Sequence, residues 1–248
     1  RRAGKTARRD RVGAGERTDM ASDNERPLGI LCALPEEMAL LAAALVGPSD
    51  DRRAGARFVS GRLDGAAVVL AECGIGKVGA ALAATLLPER FDCRALIVSG
   101  VAGGLDPALG IGDIVVAERL VQHDYGATVA GRHVPFRAGA FPIGDPRDDP
   151  AFNLDPALAT KLKTALAGYA PPRLAASVLG EAEGRQPRLV FGTVVTGDTF
   201  VNCAATRRRL FETWHAQAVE MEGAAVAQVA QRVGGAAEGV RALGDLAG

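Results

Sequence analysis

The sequence predicts a single α/β domain on a largely parallel or mixed sheet with helices on both faces. Continuous apolar runs of strand length occur at Leu28 to Leu34, Ala67 to Cys73, Ala95 to Ser99, Asp113 to Val121 and Leu189 to Thr196. Such runs, unlike alternating ones, belong to strands covered on both sides. Helical spacing follows directly on the first two, which is the strand-to-helix alternation of α/β architecture. A chain of 248 residues with 48% hydrophobic content can also bury one sizeable core.

The first segment, residues 1–27, differs from the rest. Arg1, Arg2, Lys5, Arg8, Arg9, Arg11 and Arg17 crowd a stretch with hardly an apolar residue and no helical period. It cannot bury enough surface to offset the entropy of ordering, so a disordered basic tail is expected there and one domain over 28–248. A nucleic-acid arm or a transit peptide fits less well, since Asp10, Glu16, Asp19, Asp23 and Glu25 dilute the charge. Met20 offers a start of translation that would make the upstream residues incidental.

Leu28 to Leu34 reads as a strand, and Pro35, Glu36 and Glu37 then open a helix carrying Met38, Leu40, Leu41 and Leu45. Ala67 to Cys73 feeds a second helix over Lys77 to Leu87. Gly131 to Pro156, rich in Gly, Pro, Arg and Asp, reads as a long surface excursion. In AVEMEGAAVAQVAQ, Ala218 to Gln231, two carboxylates interrupt an apolar run. On one helix Glu220 and Glu222 would point about 200 degrees apart, whereas alternate residues of an extended segment share a face. A strand-to-helix break between them is expected, with Glu222 in the first turn, where the dipole favours an acid.

Composition excludes several functions. Lys plus Arg equals Asp plus Glu at 29 each, so no nucleic-acid or anionic-membrane partner is implied. Apolar runs break well short of the roughly 20 residues a membrane span needs. Cys32, Cys73, Cys93 and Cys203 lie far apart with no metal-binding spacing, which points to buried free thiols in a reducing cytoplasm, with no metal and no cofactor.

Ligands of open α/β sheets sit beyond the carboxyl ends of the strands. Those ends carry Glu36 and Glu37, the loops CGIGK at 73–77 and SGVAGG at 99–104, TGDTFVN at 196–202, VEMEG at 219–223 and RALGD at 241–245. Gly74, Gly76 and Gly79 match the dinucleotide spacing G-x-G-x-x-G. The match fails further on: the acid expected at the end of the next strand is replaced by Ser99, and Asp92 precedes that strand. Gly76-Lys77 is not followed by Ser or Thr, so it is no triphosphate-cradling loop either.

GILCALPEEM, GIGKVGAALAATLL, SGVAGGLDPALGIGDIVV, TGDTFVN, AVEMEGAAVAQV and RALGD resemble, in order and at similar separations, the bacterial 5′-methylthioadenosine/S-adenosylhomocysteine nucleosidases of the purine and uridine phosphorylase superfamily. The resemblance runs from Leu28 to about Ala247. It implies a nucleoside phosphorylase-like α/β domain with a mixed, partly barrel-like sheet flanked by helices, a homodimer, and hydrolysis of the bond between adenine N9 and ribose.

Cleaving that bond leaves positive charge on the sugar and negative charge on the purine, so the transition state wants an acid at the base and anionic groups at the ribose. By resemblance Asp245 would be the general acid towards N7, a task that calls for a dry pocket and a raised pKa. Glu37 would hold and activate the attacking water. Glu222 would accept hydrogen bonds from the ribose hydroxyls beside Met221, leaving Glu220 to support the local structure. Phe200 would stack on adenine, the Val201 backbone would read its edge, and Val101, Ala102 and Gly103 would bring bare backbone to the ligand. His123 reads as a structural or lip residue, and Pro135, Phe136 and Phe141 as candidates for the 5′ substituent.

The sequence departs from its relatives at Val101, where many carry a hydroxyl residue, and at Gly244, where Ser is common. Relatives also continue past the position of Asp245 into a further helix, so the domain is expected to be truncated at its C-terminus and Asp245 wet and ionised. Three other readings stay open: a purine nucleoside phosphorylase, a futalosine-type nucleosidase, and a truncated, non-catalytic nucleoside binder. Phosphorolysis would need cationic anchors where the first turn presents Glu36 and Glu37.

Overall fold

In the computed structural model, which describes residues 25–140, 149–179 and 184–247, the apolar run after Pro27 forms β1 (Leu28–Cys32) and turns into α1 (Pro35–Ala43). Pro35 occupies the first turn, where its missing N–H costs no helical hydrogen bond. An antiparallel hairpin follows, β2 (Val46–Arg53) and β3 (Ala56–Leu63), then β4 (Ala66–Glu72) and α2 (Lys77–Phe91). Next come β5 (Ala95–Gly104) and β6 (Ile114–Gln122), a ribbon of β7 (Gly126–Val129) with β8 (Arg132–Pro135), and β9 (Ala151–Asn153). The remainder is α3 (Pro156–Ala165), a single turn α4 (Ala176–Leu179), β10 (Leu189–Thr196), α5 (Ala204–Trp214), β11 (Ala218–Glu220), α6 (Gly223–Val233) and β12 (Ala236–Asp245).

The main sheet runs β11-β10-β6-β12-β5-β1-β4-β3-β2. It is mixed: β4, β1, β5 and β12 are mutually parallel, and β6 parallels β10 but opposes β12. The far end of β5 also pairs with β11, Gly103 opposite Val219, which closes β11-β10-β6-β12-β5 into a five-strand barrel. Closure pairs the β11 edge with the far end of β5 and draws the ends of β5, β10, β11 and β12 together around one mouth. Apolar faces of α2 and α6 cover the sheet: Ala80, Ala83, Ala84 and Leu87 of α2 share a core with Val226 and Ala230 of α6, Leu31 of β1 and Val98 of β5.

Several expectations need correction. The hairpin of β2 and β3 was not anticipated, because VGPSDDRR is almost wholly exposed and carries no apolar pattern. Val101 to Gly104, expected as a loop, continues β5 and bonds to β12 and β11. Gly131 to Pro156 is no mere surface excursion, since β8 and β9 lie in it and Phe136, Ala138, Ala151 and Phe152 are buried. Cys32 and Cys93 are buried as free thiols and Cys73 partly so, but Cys203 is exposed at the start of α5. Residues 1–24 of the expected tail lie outside the described residues. Hydrogen-bonded structure already includes Arg26, whose guanidinium meets Asp92 at 3.0 Å, and Pro27, whose carbonyl accepts from Arg94 N–H at 3.0 Å.

Candidate active site

The turn from β1 into α1 positions Glu37. Its Oε2 accepts from the backbone N–H groups of Ala33 (2.8 Å) and Leu34 (3.0 Å), and its Oε1 accepts from Val101 N–H at 2.8 Å. The first two bonds satisfy donors that a helix start leaves open, and the third ties α1 to the end of β5. Gly100 makes this possible: a Cβ there would collide with the Glu37 carboxylate and the Arg241 guanidinium.

β11 ends at Glu220 and α6 starts at Gly223, so the expected break between the two acids is present, with Glu222 at the N-cap. The Glu220 carboxylate accepts from the backbone N–H of Glu222 (3.0 Å) and Gly223 (2.7 Å), from the Thr196 hydroxyl and from Arg241 Nη2. Thr196 Oγ1 accepts in turn from Ala224 N–H at 2.9 Å. Glu220 therefore caps α6 and anchors Arg241. Glu222 turns towards the loop after β4, where Gly76 N–H donates to its Oε1 at 2.8 Å, while Arg241 Nη2 donates to Oε2 at 3.2 Å. Gly76 adopts φ +99, open to glycine and strained for other residues, and this aims its N–H. The CGIGK loop thus holds a carboxylate.

Arg241, from β12, is 1% exposed and its Nη1 has no partner. Burial works against its charge, but the Glu220 and Glu222 carboxylates outweigh that and raise its pKa. Burial and the neighbouring Glu220 charge push the Glu222 carboxyl above the ordinary range, against Arg241 and the Gly76 N–H. Arg241 stands within RALGD in the sequence, and nothing in that stretch alone assigns it a part. The available signal is an arginine four residues before the acid at the end of a small-residue strand.

A cavity of about 140 Å³ opens between these groups. Glu37, Val101, Ala102, Gly103, Phe200, Val201, Met221, Glu222 and Asp245 all line it, as do Ile75 and Glu220. Phe200 is 71% exposed, its side chain unburied by the fold itself. Asp245 follows a bulge in β12 opposite Gly103; it is exposed, and its Oδ1 accepts from Ala247 N–H at 2.6 Å. The two departures noted above are neighbours, since a Cβ on Gly244 would lie 3.4 Å from Val101 Cβ. His123 packs against Gly197 outside the cavity lining, with Nε2 unpartnered. Pro135 and Phe136 do not line the cavity; Phe136 is buried with its ring edge-on to Tyr125 at 5.2 Å. Phe141 lies outside the described residues.

The sequence matches the profile of the phosphorylase superfamily over residues 27–248. It is 44% identical over 221 residues to a 5′-methylthioadenosine/S-adenosylhomocysteine nucleosidase of Mycobacterium bovis, covering 89% of this chain and 86% of that protein. The structure is similar to the S-adenosylhomocysteine nucleosidase of Streptococcus pyogenes in complex with 5-methylthiotubericidin, with a TM-score of 0.72, 31% identity, and coverage of 92% of this chain and 86% of that one. It is similar also to the nucleosidase of Colwellia psychrerythraea in complex with adenine, with a TM-score of 0.72, 32% identity, and coverage of 90% and 84%.

Proposed function

The chain belongs to the 5′-methylthioadenosine/S-adenosylhomocysteine nucleosidases of the phosphorylase superfamily, and from that membership we infer that it hydrolyses the N-glycosidic bond of these nucleosides and releases adenine. The observation that carries the reading is the convergence of Glu37, Glu222 and Asp245 on one cavity beside an exposed aromatic ring and a buried arginine.

In the proposed reaction Phe200 stacks on the purine and Val201 presents backbone to its edge. Val101, Ala102 and Gly103 form the wall beside it, and Met221 packs on the sugar. Glu222 accepts from the ribose hydroxyls; its two protein bonds, to Gly76 and Arg241, fix its orientation. As the C1′–N9 bond breaks, its electron pair passes to the purine and N7 takes up a proton; Asp245 is the donor once the bound purine covers its exposed carboxyl. The oxygen of a water attacks C1′, and Glu37 takes the proton that water loses. Arg241 Nη1, unpartnered beside Gly100 and Glu37 and sealed from the cavity, places positive charge behind the Glu37 carboxylate.

Water is favoured over phosphate as nucleophile because Glu37, Glu220, Glu222 and Asp245 line the cavity and no Lys or Arg does, among the described residues. A phosphate dianion would meet carboxylates there. Adenine should therefore appear at full rate in phosphate-free buffer, with free methylthioribose. A ribose 1-phosphate as main product would establish phosphorolysis, and binding without adenine release would establish a non-catalytic binder.

A homodimer is part of this reading. Ile75, Val78 and Leu82 leave an apolar stripe exposed along the start of α2, and sedimentation should return twice the chain mass. A cytoplasmic location is proposed from the four free thiols, and no helix among the described residues is long and apolar enough to cross a membrane.

A further inference from the structure

Outside the cavity, one ionic cluster joins three segments that each carry part of it. Lys77, at the start of α2, donates from Nζ to Asp124 Oδ1 at 2.7 Å and lies 3.5 Å from Asp198 Oδ2. Its backbone N–H donates to Asp198 Oδ1 at 2.9 Å. Asp198 N–H donates to Asp124 Oδ2 at 2.9 Å, which closes the cluster. An exposed ion pair contributes little. Here, however, the Lys77 side chain is 17% exposed, and two of the bonds come from backbone N–H groups that fix loop geometry. Burial opposes ionisation of Asp124, yet the Lys77 and Asp198 bonds outweigh it and hold the carboxyl below its ordinary range.

The connections run directly to the site. Gly76, the residue before Lys77, donates to Glu222. Asp198 precedes Thr199, Phe200 and Val201, which line the cavity. Asp124 follows β6 and leads into the ribbon of β7 and β8, and the His123 ring beside it leaves Gly197 no room for a Cβ. Phe200 makes no buried packing of its own; its loop is held on one side by Val201, which is buried in the core, and on the other by its root at Asp198.

We propose that Lys77, Asp124 and Asp198 form a positioning clamp that fixes the purine-stacking loop at Phe200 relative to the ribose acid Glu222. This rests on the nucleosidase reading for its purpose. None of the three residues lines the cavity, and they act through Phe200, Val201 and Gly76.

The test compares the wild-type chain with Lys77→Met, Asp124→Asn, the double variant and Lys77→Arg. Hydrogen exchange of a peptide spanning 197–202 reads the loop without any ligand, adenine calorimetry reads the purine site without turnover, and steady-state kinetics with methylthioadenosine reads both. In each single variant the peptide should exchange faster and adenine Kd and KM should rise about tenfold while kcat changes less than about threefold, the pattern of lost uniform binding. The double variant should be no worse than the worse single one, because the residues act as a unit. Lys77→Arg should restore part of the loss. Unchanged loop exchange and adenine Kd, or kcat and KM effects that merely follow the folded fraction, would overturn the clamp, as would a wild-type chain that binds no adenine. Lack of hydrolysis by a wild-type chain that binds adenine would overturn the proposed reaction and leave the clamp supported.

Discussion

The two faces of β12 handle buried charge in opposite ways. On one face Arg241 meets Glu220 and Glu222, and every oxygen of those two carboxylates has a donor. Three residues earlier, on the other face, Glu238 is 7% exposed; its Oε1 accepts from Gly239 N–H at 3.1 Å and its Oε2 has no partner. The charge that acts on Glu238 is another acid, Glu118, whose own partner is Lys163. Burial pushes the Glu238 carboxyl up to about 8. An acid without a cation remains inside by keeping its proton, whereas the site keeps charge inside by matching it. Only the matched face is suited to stabilising a cationic sugar.

The comparison breaks most severely at Arg241. Arg241→Met leaves two buried carboxylates uncompensated, and denaturant unfolding should show a loss of about 3–5 kcal/mol. Adenine release by the folded fraction should fall roughly 100- to 1,000-fold, the scale of losing a preorganised donor. Adding Glu220→Gln should recover part of the stability and little of the rate. A single variant within 1 kcal/mol of wild type would mean that the arginine is not what makes those carboxylates tolerable.

The same contrast explains what was legible in the sequence. β1, β4 and β10 announce themselves because strands covered on both faces are apolar throughout. β12 is harder to see: Ala237 and Gly239 are small where the core and β6 pack closely, and Glu238 and Arg241 interrupt any apolar run. Glu37, Glu222, Phe200 and Asp245 stand out as residue types at strand ends, and the structure gathers all four round one cavity. Their supports do not stand out. Arg241 meets Glu220 and Glu222 across the barrel, Gly76 reaches Glu222 over 146 positions, and Gly100 matters only through the side chain it lacks. Such roles belong to the topology, which joins β5 to β12 and β11 without any local trace.

Within the matched face the acids should separate by role. Glu37→Gln should lower turnover about 100-fold with adenine Kd nearly unchanged, as expected for losing a base. Glu222→Gln should lower turnover and weaken nucleoside binding together. Glu220→Gln, which caps α6 and faces Arg241, should cost about 1–3 kcal/mol of stability and reduce activity less than Glu222→Gln when compared per folded molecule. A larger activity loss at Glu220 would reverse the assignment of the two faces.

The smallest effect concerns the unmatched face, and it is a stability effect alone. The ordinary Glu value is 4.5 and the folded value is about 8, so between those limits the folded chain holds a proton that the unfolded chain has released. Stability contributed by the protonated acid is complete below pH 4.5 and declines as pH rises to about 8. Glu238→Gln removes this dependence, since an amide stays neutral while its oxygen can still accept from Gly239. The variant should match wild type near pH 5 and exceed it at pH 8 by roughly 1–3 kcal/mol, a range held down by water reaching the site as the strand relaxes. Its kcat should be unaltered, because Glu238 points away from the cavity. Parallel stability curves for the two proteins from pH 5 to 8 would show that Glu238 finds a charge partner, and the contrast between the faces of β12 would fail.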